Sequence, residues 1–124
     1  MESIQFEWDE NKNQINQRKH GVSFSEAKTV FYDEEALVID DPEHSEQEDR
    51  FIILGLSNKA NLLIVCHCYR ESDTVIRLIS ARKATKTESK YYGKWGLYYA
   101  PWIWFQPRKE ESLCKSPEKA NHNQ

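Results

Sequence analysis

The apolar positions of the chain fall into two rhythms. Phe24, Ala27, Val30 and Phe31 recur at the spacing of one helical face. Ser23 precedes them with Glu26 three residues later, the pattern of a capping box, so a helix is predicted over about 23 to 32. Beyond it the pattern becomes that of strands. Leu37-Val38-Ile39 reads as a brief strand, and 50 to 56, 61 to 69 and 74 to 81 are runs rich in Ile, Leu and Val. Ser57-Asn58-Lys59-Ala60 and Arg70-Glu71-Ser72-Asp73 join these runs at hairpin lengths, which predicts an antiparallel meander of three or four strands.

Polar signals mark the remaining elements. Phe6-Glu7-Trp8 reads as a short edge strand, Asp9 as the cap of a helix from Glu10 to His20, and Gly21 as its stop. Thr85 and Glu88 repeat the capping-box spacing within Lys83 to Lys90, the start of a last helix. Two N-terminal helices, a small antiparallel β-sheet and a short C-terminal helix make an α+β domain over residues 1 to 92. After Tyr92 the composition shifts. Gly93, Gly96, Pro101, Pro107 and Pro117 punctuate a stretch with three of the four tryptophans, so 93 to 124 is expected to be an appendage that packs on the domain or self-associates.

Composition sets the outer bounds. With 39% hydrophobic and 30% charged residues among 124, the chain has material for a core and a soluble surface, and global disorder is excluded. No apolar run reaches the ~18 residues of a spanning helix and Met-Glu-Ser begins no signal peptide, so the expectation is a cytoplasmic protein. Cys66, Cys68 and Cys114 cannot all pair within one chain and are expected to stay reduced. The net charge of −3 is uneven: residues 1 to 92 carry 12 Lys+Arg against 17 Asp+Glu, and residues 93 to 124 carry 5 against 3. That balance argues against simple electrostatic adhesion to nucleic acid, so any such chemistry must rest on a local basic cluster.

The residues that could carry chemistry are few. Cys66-His67-Cys68 invites a metal reading, but strand alternation turns both thiols away from the imidazole, so no metal site is predicted. Arg18, Lys19 and His20 close the first helix, where the helix dipole favours cations. Arg77 interrupts Val75 to Ile79 and by alternation shares a face with Val75, Ile79 and Ala81. Either that face is partly open or Arg77 meets a carboxylate such as Glu71. Hairpin parity decides whether His67 shares its face with Arg77 or with Arg82, and the turn sequence leaves both open. Either pairing would suit phosphate chemistry, with Arg gripping the anion and His or Lys moving a proton.

Four segments, in order and in spacing, resemble the BrnT family of toxins. They are Phe6-Glu7-Trp8-Asp9; Arg18-Lys19-His20-Gly21-Val22-Ser23-Phe24 with Glu26-Ala27; His67-Cys68-Tyr69-Arg70-Glu71; and Ile76 through Thr85. The resemblance covers about residues 4 to 92 and implies a RelE-like fold and a ribonuclease of a type II toxin-antitoxin system. It implies as partner a BrnA antitoxin, a DNA-binding protein whose complex with the toxin represses their operon. The implied reaction is metal-independent and needs no cofactor: the ribose 2'-hydroxyl attacks the adjacent phosphate while basic groups hold the developing charge. The matching positions are Lys19 and His20 as proton-transfer or phosphate groups and Arg77 and Arg82 as phosphate clamps. His67, Glu71 and Arg50 are secondary candidates.

Residues 93 to 124 have no counterpart in that family pattern. A rival expectation from another class is a non-catalytic binding module that keeps the fold and the antitoxin surface without cleaving RNA. Direct DNA binding is disfavoured because no predicted helix carries a basic face, so operator contact would run through the antitoxin.

Overall fold

The computed structural model describes residues 4–41, 50–71 and 74–93. The elements are β1 (Gln5–Glu7), α1 (Glu10–His20), α2 (Phe24–Ala27) continued by a 3-10 segment (Lys28–Tyr32), β2 (Leu37–Asp40), β3 (Arg50–Leu56), β4 (Leu62–Arg70), β5 (Val75–Lys83) and α3 (Lys86–Ser89). The expected separate segment 93 to 124 lies outside the described residues apart from Gly93.

Local capping accounts for most of the boundaries. The Asp9 carboxylate accepts the Asn11 N–H at 2.8 Å, and Gly21, at φ 72°, donates its N–H to the Gln17 carbonyl at 2.9 Å. Thr85 and Glu88 form the complete predicted box: the Glu88 N–H donates to Thr85 Oγ1 at 3.1 Å and the Thr85 N–H to Glu88 Oε1 at 2.9 Å. The first box is only half made. Ser23 Oγ accepts the Glu26 N–H, but the buried Glu26 carboxylate takes Ser57 Oγ at 2.6 Å and Asn61 Nδ2 at 2.8 Å instead. That polar network ties α2 to the β3–β4 turn and ends the α-helix early, so the predicted helix over 23 to 32 splits after Ala27 into a 3-10 segment.

The sheet corrects the expectation of a purely antiparallel one. Its order is β1-β5-β4-β3-β2, with the four later strands antiparallel as predicted but β1 pairing parallel to β5 through Gln5↔Val75, Phe6↔Ile76 and Glu7↔Arg77. Helices α1 and α2 cover one face, where Val22, Phe24, Ala27 and Val30 cluster with Ile53, Leu63, Val65 and Leu78 of the sheet. On the other face Ile39, Ile52, Leu54 and Ile64 pack with Ala84, Tyr91 and Tyr92 from the α3 region. The Tyr92 hydroxyl donates to Asp33 Oδ2 at 2.5 Å, and burial together with that carboxylate pushes the phenol up to about 12.

Helix α1 is polar all round, and it is Asn13 and Asn16 that it buries while Ile15 stays exposed. The reason lies at the sheet edge. β1 stops at Glu7, so beyond Arg77 strand β5 has no neighbouring strand on that side among the described residues, and the amide groups of Ala81 would be orphaned. Asn16 replaces the missing strand: Nδ2 donates to the Ala81 and Val22 carbonyls at 2.8 and 2.9 Å, and Oδ1 accepts the Ala81 N–H at 3.1 Å.

The 3-10 segment crosses β3 at Gly55, where a Cβ would lie 3.0 Å from Val30 Cβ and 3.2 Å from both Ala36 Cβ and the Val30 carbonyl oxygen. Gly55→Ala is therefore expected to cost about 1–3 kcal/mol by overpacking. An unchanged urea midpoint would contradict this close approach.

Candidate functional site: an arginine-bearing sheet face

The register of β4 and β5 decides which side chains meet. Cys66 pairs with Ser80, but His67 pairs with Leu78, so Ile79 is an extra residue on β5. This bulge reverses the alternation between Arg77 and Ala81. Neither parity expected from the sequence holds: Arg77 and Arg82 both project to the face opposite His67, and Ala81 joins the helix side instead of sharing a face with Arg77.

His67 is 0% exposed on the helix face. Its ring lies edge-on to Phe31 and Tyr69, with centroids 4.7 and 5.3 Å away, and stacks on Phe51 at 6.1 Å. Nδ1 donates to the Val65 carbonyl at 3.2 Å, and Nε2 is buried without a hydrogen-bond partner. Burial lowers its pKa to about 4, so the imidazole is neutral. Cys68, on the other face, is buried and not disulfide-bonded. Cys66 is disulfide-bonded, against the expectation that all three thiols stay reduced.

On the face that α1 and α2 leave uncovered, one row runs Glu7↔Arg77↔Cys68↔Arg50 across β1, β5, β4 and β3. Arg77 and Arg50 are two strand spacings apart, roughly 10 Å at the backbone, within common reach of their side chains. Arg70 lies two residues beyond Cys68 on the same face. Arg77 Nη1 contacts Glu7 Oε2 at 2.9 Å, and Arg70 Nε lies 4.0 Å from the same oxygen. These side chains are 33% (Arg77), 48% (Arg70) and 42% (Glu7) exposed, so the group is open to solvent. The face is thus partly open and Arg77 does meet a carboxylate, but that carboxylate is Glu7.

The other expected residues are dispersed. Arg82 is locked to Glu88, Nη1 to Oε1 at 2.9 Å and Nη2 to Oε2 at 3.0 Å, with side-chain exposures of 9% and 0%. Glu71 is exposed in the β4–β5 turn at φ 53°, where its carbonyl accepts the Thr74 N–H and hydroxyl. Helix α1 starts just after Glu7, beside Arg77, and reaches Ala81 at Asn16. Lys19 and His20, a turn further on, therefore lie at the Lys83 end of β5. Six residues of strand, roughly 20 Å, separate Lys83 from Arg77, so the expected set splits into two groups.

Arg70 and Glu7 were absent from the expected site. Arg70 was within reach of the alternation argument, since it shares the parity of Cys68, whereas nothing local announces the parallel pairing that delivers Glu7. Among the described residues, no group of three or more His, Cys, Asp or Glu is placed to hold a metal ion. A cavity of about 420 Å³ between Thr29, Tyr32, Asp33 and Leu56 sits at the opposite end of β3 from Arg50 and has no basic side chain in its lining.

The domain is α+β, with helices over one sheet face and arginines gathered on the other. A family model described as the ribonuclease toxin BrnT of type II toxin-antitoxin systems matches residues 8–88, and the chain belongs to that family. Its fold is similar to the crystal structure of the Brucella abortus ribonuclease toxin BrnT, with 24% sequence identity and a TM-score of 0.54, over 68% of this chain and 100% of that one. No curated protein matches the chain at a significant level. Membership in a type II toxin-antitoxin system implies an antitoxin partner. No helix of the described residues is long and apolar enough to cross a membrane.

Proposed function

We propose that this chain is a metal-independent endoribonuclease toxin of the cytoplasm, carried by residues 1 to 92, that inhibits translation by cleaving RNA. On this reading a BrnA-type antitoxin neutralises it, and operator DNA is reached only through that antitoxin. The observation that carries the reading is the gathering of Arg77, Arg70 and Arg50 from three neighbouring strands onto one open sheet face. Guanidinium groups in this arrangement grip a phosphodiester through charge-assisted hydrogen bonds. As the 2'-oxygen gives its proton to solvent and attacks phosphorus, and the 5'-oxygen leaves and takes a proton from solvent, they hold the charge that grows on the non-bridging oxygens. On this reading Arg77 and Arg50 act in this site, Arg82 supports α3, His67 fills the core, Glu71 lies in the turn beside Arg70, and Lys19 and His20 lie towards the far end of β5.

The test uses full-length protein and RNA in excess chelator. Arg77→Ala and Arg50→Ala are each expected to slow cleavage at least about tenfold, equivalent to ~1.4 kcal/mol or more of transition-state stabilisation, while Lys19→Ala stays within a few-fold of wild type. Equal rates for Arg77→Ala and wild type would place the site elsewhere. The inward turn of His67 favours a second reading, a non-catalytic module that binds antitoxin alone. Wild type that leaves RNA intact with and without ribosomes would put that reading ahead, and a stable complex with a small antitoxin would then carry it.

A further inference from the structure

The arginine face already holds an anion. Arg70 comes from the end of β4 and Arg77 from the start of β5, and both point at one oxygen, Oε2 of Glu7, at 4.0 and 2.9 Å. Two guanidinium groups this close repel each other unless a negative charge lies between them, and Glu7 supplies it. A carboxylate offers arginine the same pair of acceptor oxygens as a phosphodiester. We propose that Arg70 and Arg77 form a phosphate seat for the RNA backbone which Glu7 occupies in the free protein, so that RNA binds by displacing the Glu7 carboxylate.

Three features of the structure make that displacement easy. Each of the three side chains is between a third and a half exposed, so an incoming phosphate reaches the guanidinium groups without opening the core. An exposed ion pair is weak, and a phosphodiester that engages Arg70 and Arg77 together replaces it with at least as many charge-assisted contacts. Glu7 also sits on the least anchored strand of the sheet. β1 is three residues long and, among the described residues, lies at the sheet edge and pairs only with β5. Glu7 therefore acts as a built-in competitor that sets the threshold for RNA binding. In a domain whose balance is already acidic, this favours substrates that present a well-placed phosphate over a diffuse polyanion.

The inference rests on the arginine face being the RNA site, and the experiment separates the two. Full-length wild type, Glu7→Gln, Arg77→Ala and the double variant are titrated with a fluorescent 2'-O-methyl RNA oligonucleotide, which cannot be cleaved, and binding is read by anisotropy. Thermal melts confirm that each variant is folded. Glu7→Gln is expected to bind roughly three- to tenfold more tightly than wild type, and the gain should vanish in the Arg77→Ala background. If Arg77→Ala weakens binding but Glu7→Gln binds no better than wild type, Glu7 is not a competitor and the inference fails while the RNA site stands. A gain that persists without Arg77 would overturn it too, since the effect would then be one of overall charge. Should Arg77→Ala bind like wild type, the arginine-face reading itself falls.

Discussion

Arg82→Ala is expected to destabilise the protein by about 3–5 kcal/mol, because it removes a bidentate partner from the fully buried Glu88 carboxylate. Both guanidinium nitrogens now bond that carboxylate, and the same Glu88 oxygen that takes Arg82 Nη1 also accepts the Thr85 N–H. Removing the arginine takes two charge-assisted hydrogen bonds from a buried carboxylate beneath α3 and loosens the box that starts the helix. Arg82 would then look essential in a toxicity assay for a reason unrelated to RNA. The diagnostic comparison is the double replacement Arg82→Met with Glu88→Leu, which takes away both charges and is expected to recover most of the loss in a urea titration. If Arg82→Ala melts with wild type, the pair is dispensable and a direct role for Arg82 at the RNA becomes the better account.

Acid should act on His67. In the folded protein burial holds its pKa at about 4, against about 6.5 for the unfolded chain. A folded-state value below the unfolded one means that the stabilisation is complete above pH 6.5, where both states carry neutral imidazole. As the pH falls towards 4 the unfolded chain takes up a proton that the folded protein excludes, and stability drops by about 1.4 kcal/mol per unit. The total is about 3 kcal/mol, levelling off below pH 4 once the folded state is protonated as well. Carboxylates contribute their own slope, so the measurement is the difference between wild type and His67→Leu in urea titrations from pH 7.5 to 3.5. The two stability profiles should converge by about 3 kcal/mol on acidification. Parallel profiles would mean that the imidazole takes up protons freely within the fold, contrary to its packing between Phe31, Phe51 and Tyr69.

Together these expectations separate an arginine paired inside the fold from arginines on the open sheet face. Arg82 and Arg77 look alike along the chain, each a cation on an apolar strand. Nine per cent exposure with a bidentate partner makes one structural, and 33% exposure on an open face makes the other available to a ligand.

By itself the sequence determined what is settled within a few residues. Asp9, Gly21 and the Thr85–Glu88 pair announce their helix ends because each satisfies a backbone group of its own turn. The strand runs and hairpin lengths were legible because alternation and turn length are local properties. The ordered segments from Phe6 to Thr85 also carried the family resemblance that the family model bears out over residues 8–88. Tertiary structure decided the rest. The parallel β1–β5 pairing joins Glu7 to Arg77 across 70 positions, and the Asn16 bonds to Ala81 cross 65. No local propensity encodes either, since both exist only because a strand edge is left open until the fold closes on it. The bulge at Ile79 is decisive for the site: one unpaired residue reverses which side chains share a face, separating His67 from both arginines. A period-two pattern cannot show where its own count slips, because either register satisfies the backbone and only packing on both faces of the sheet chooses between them.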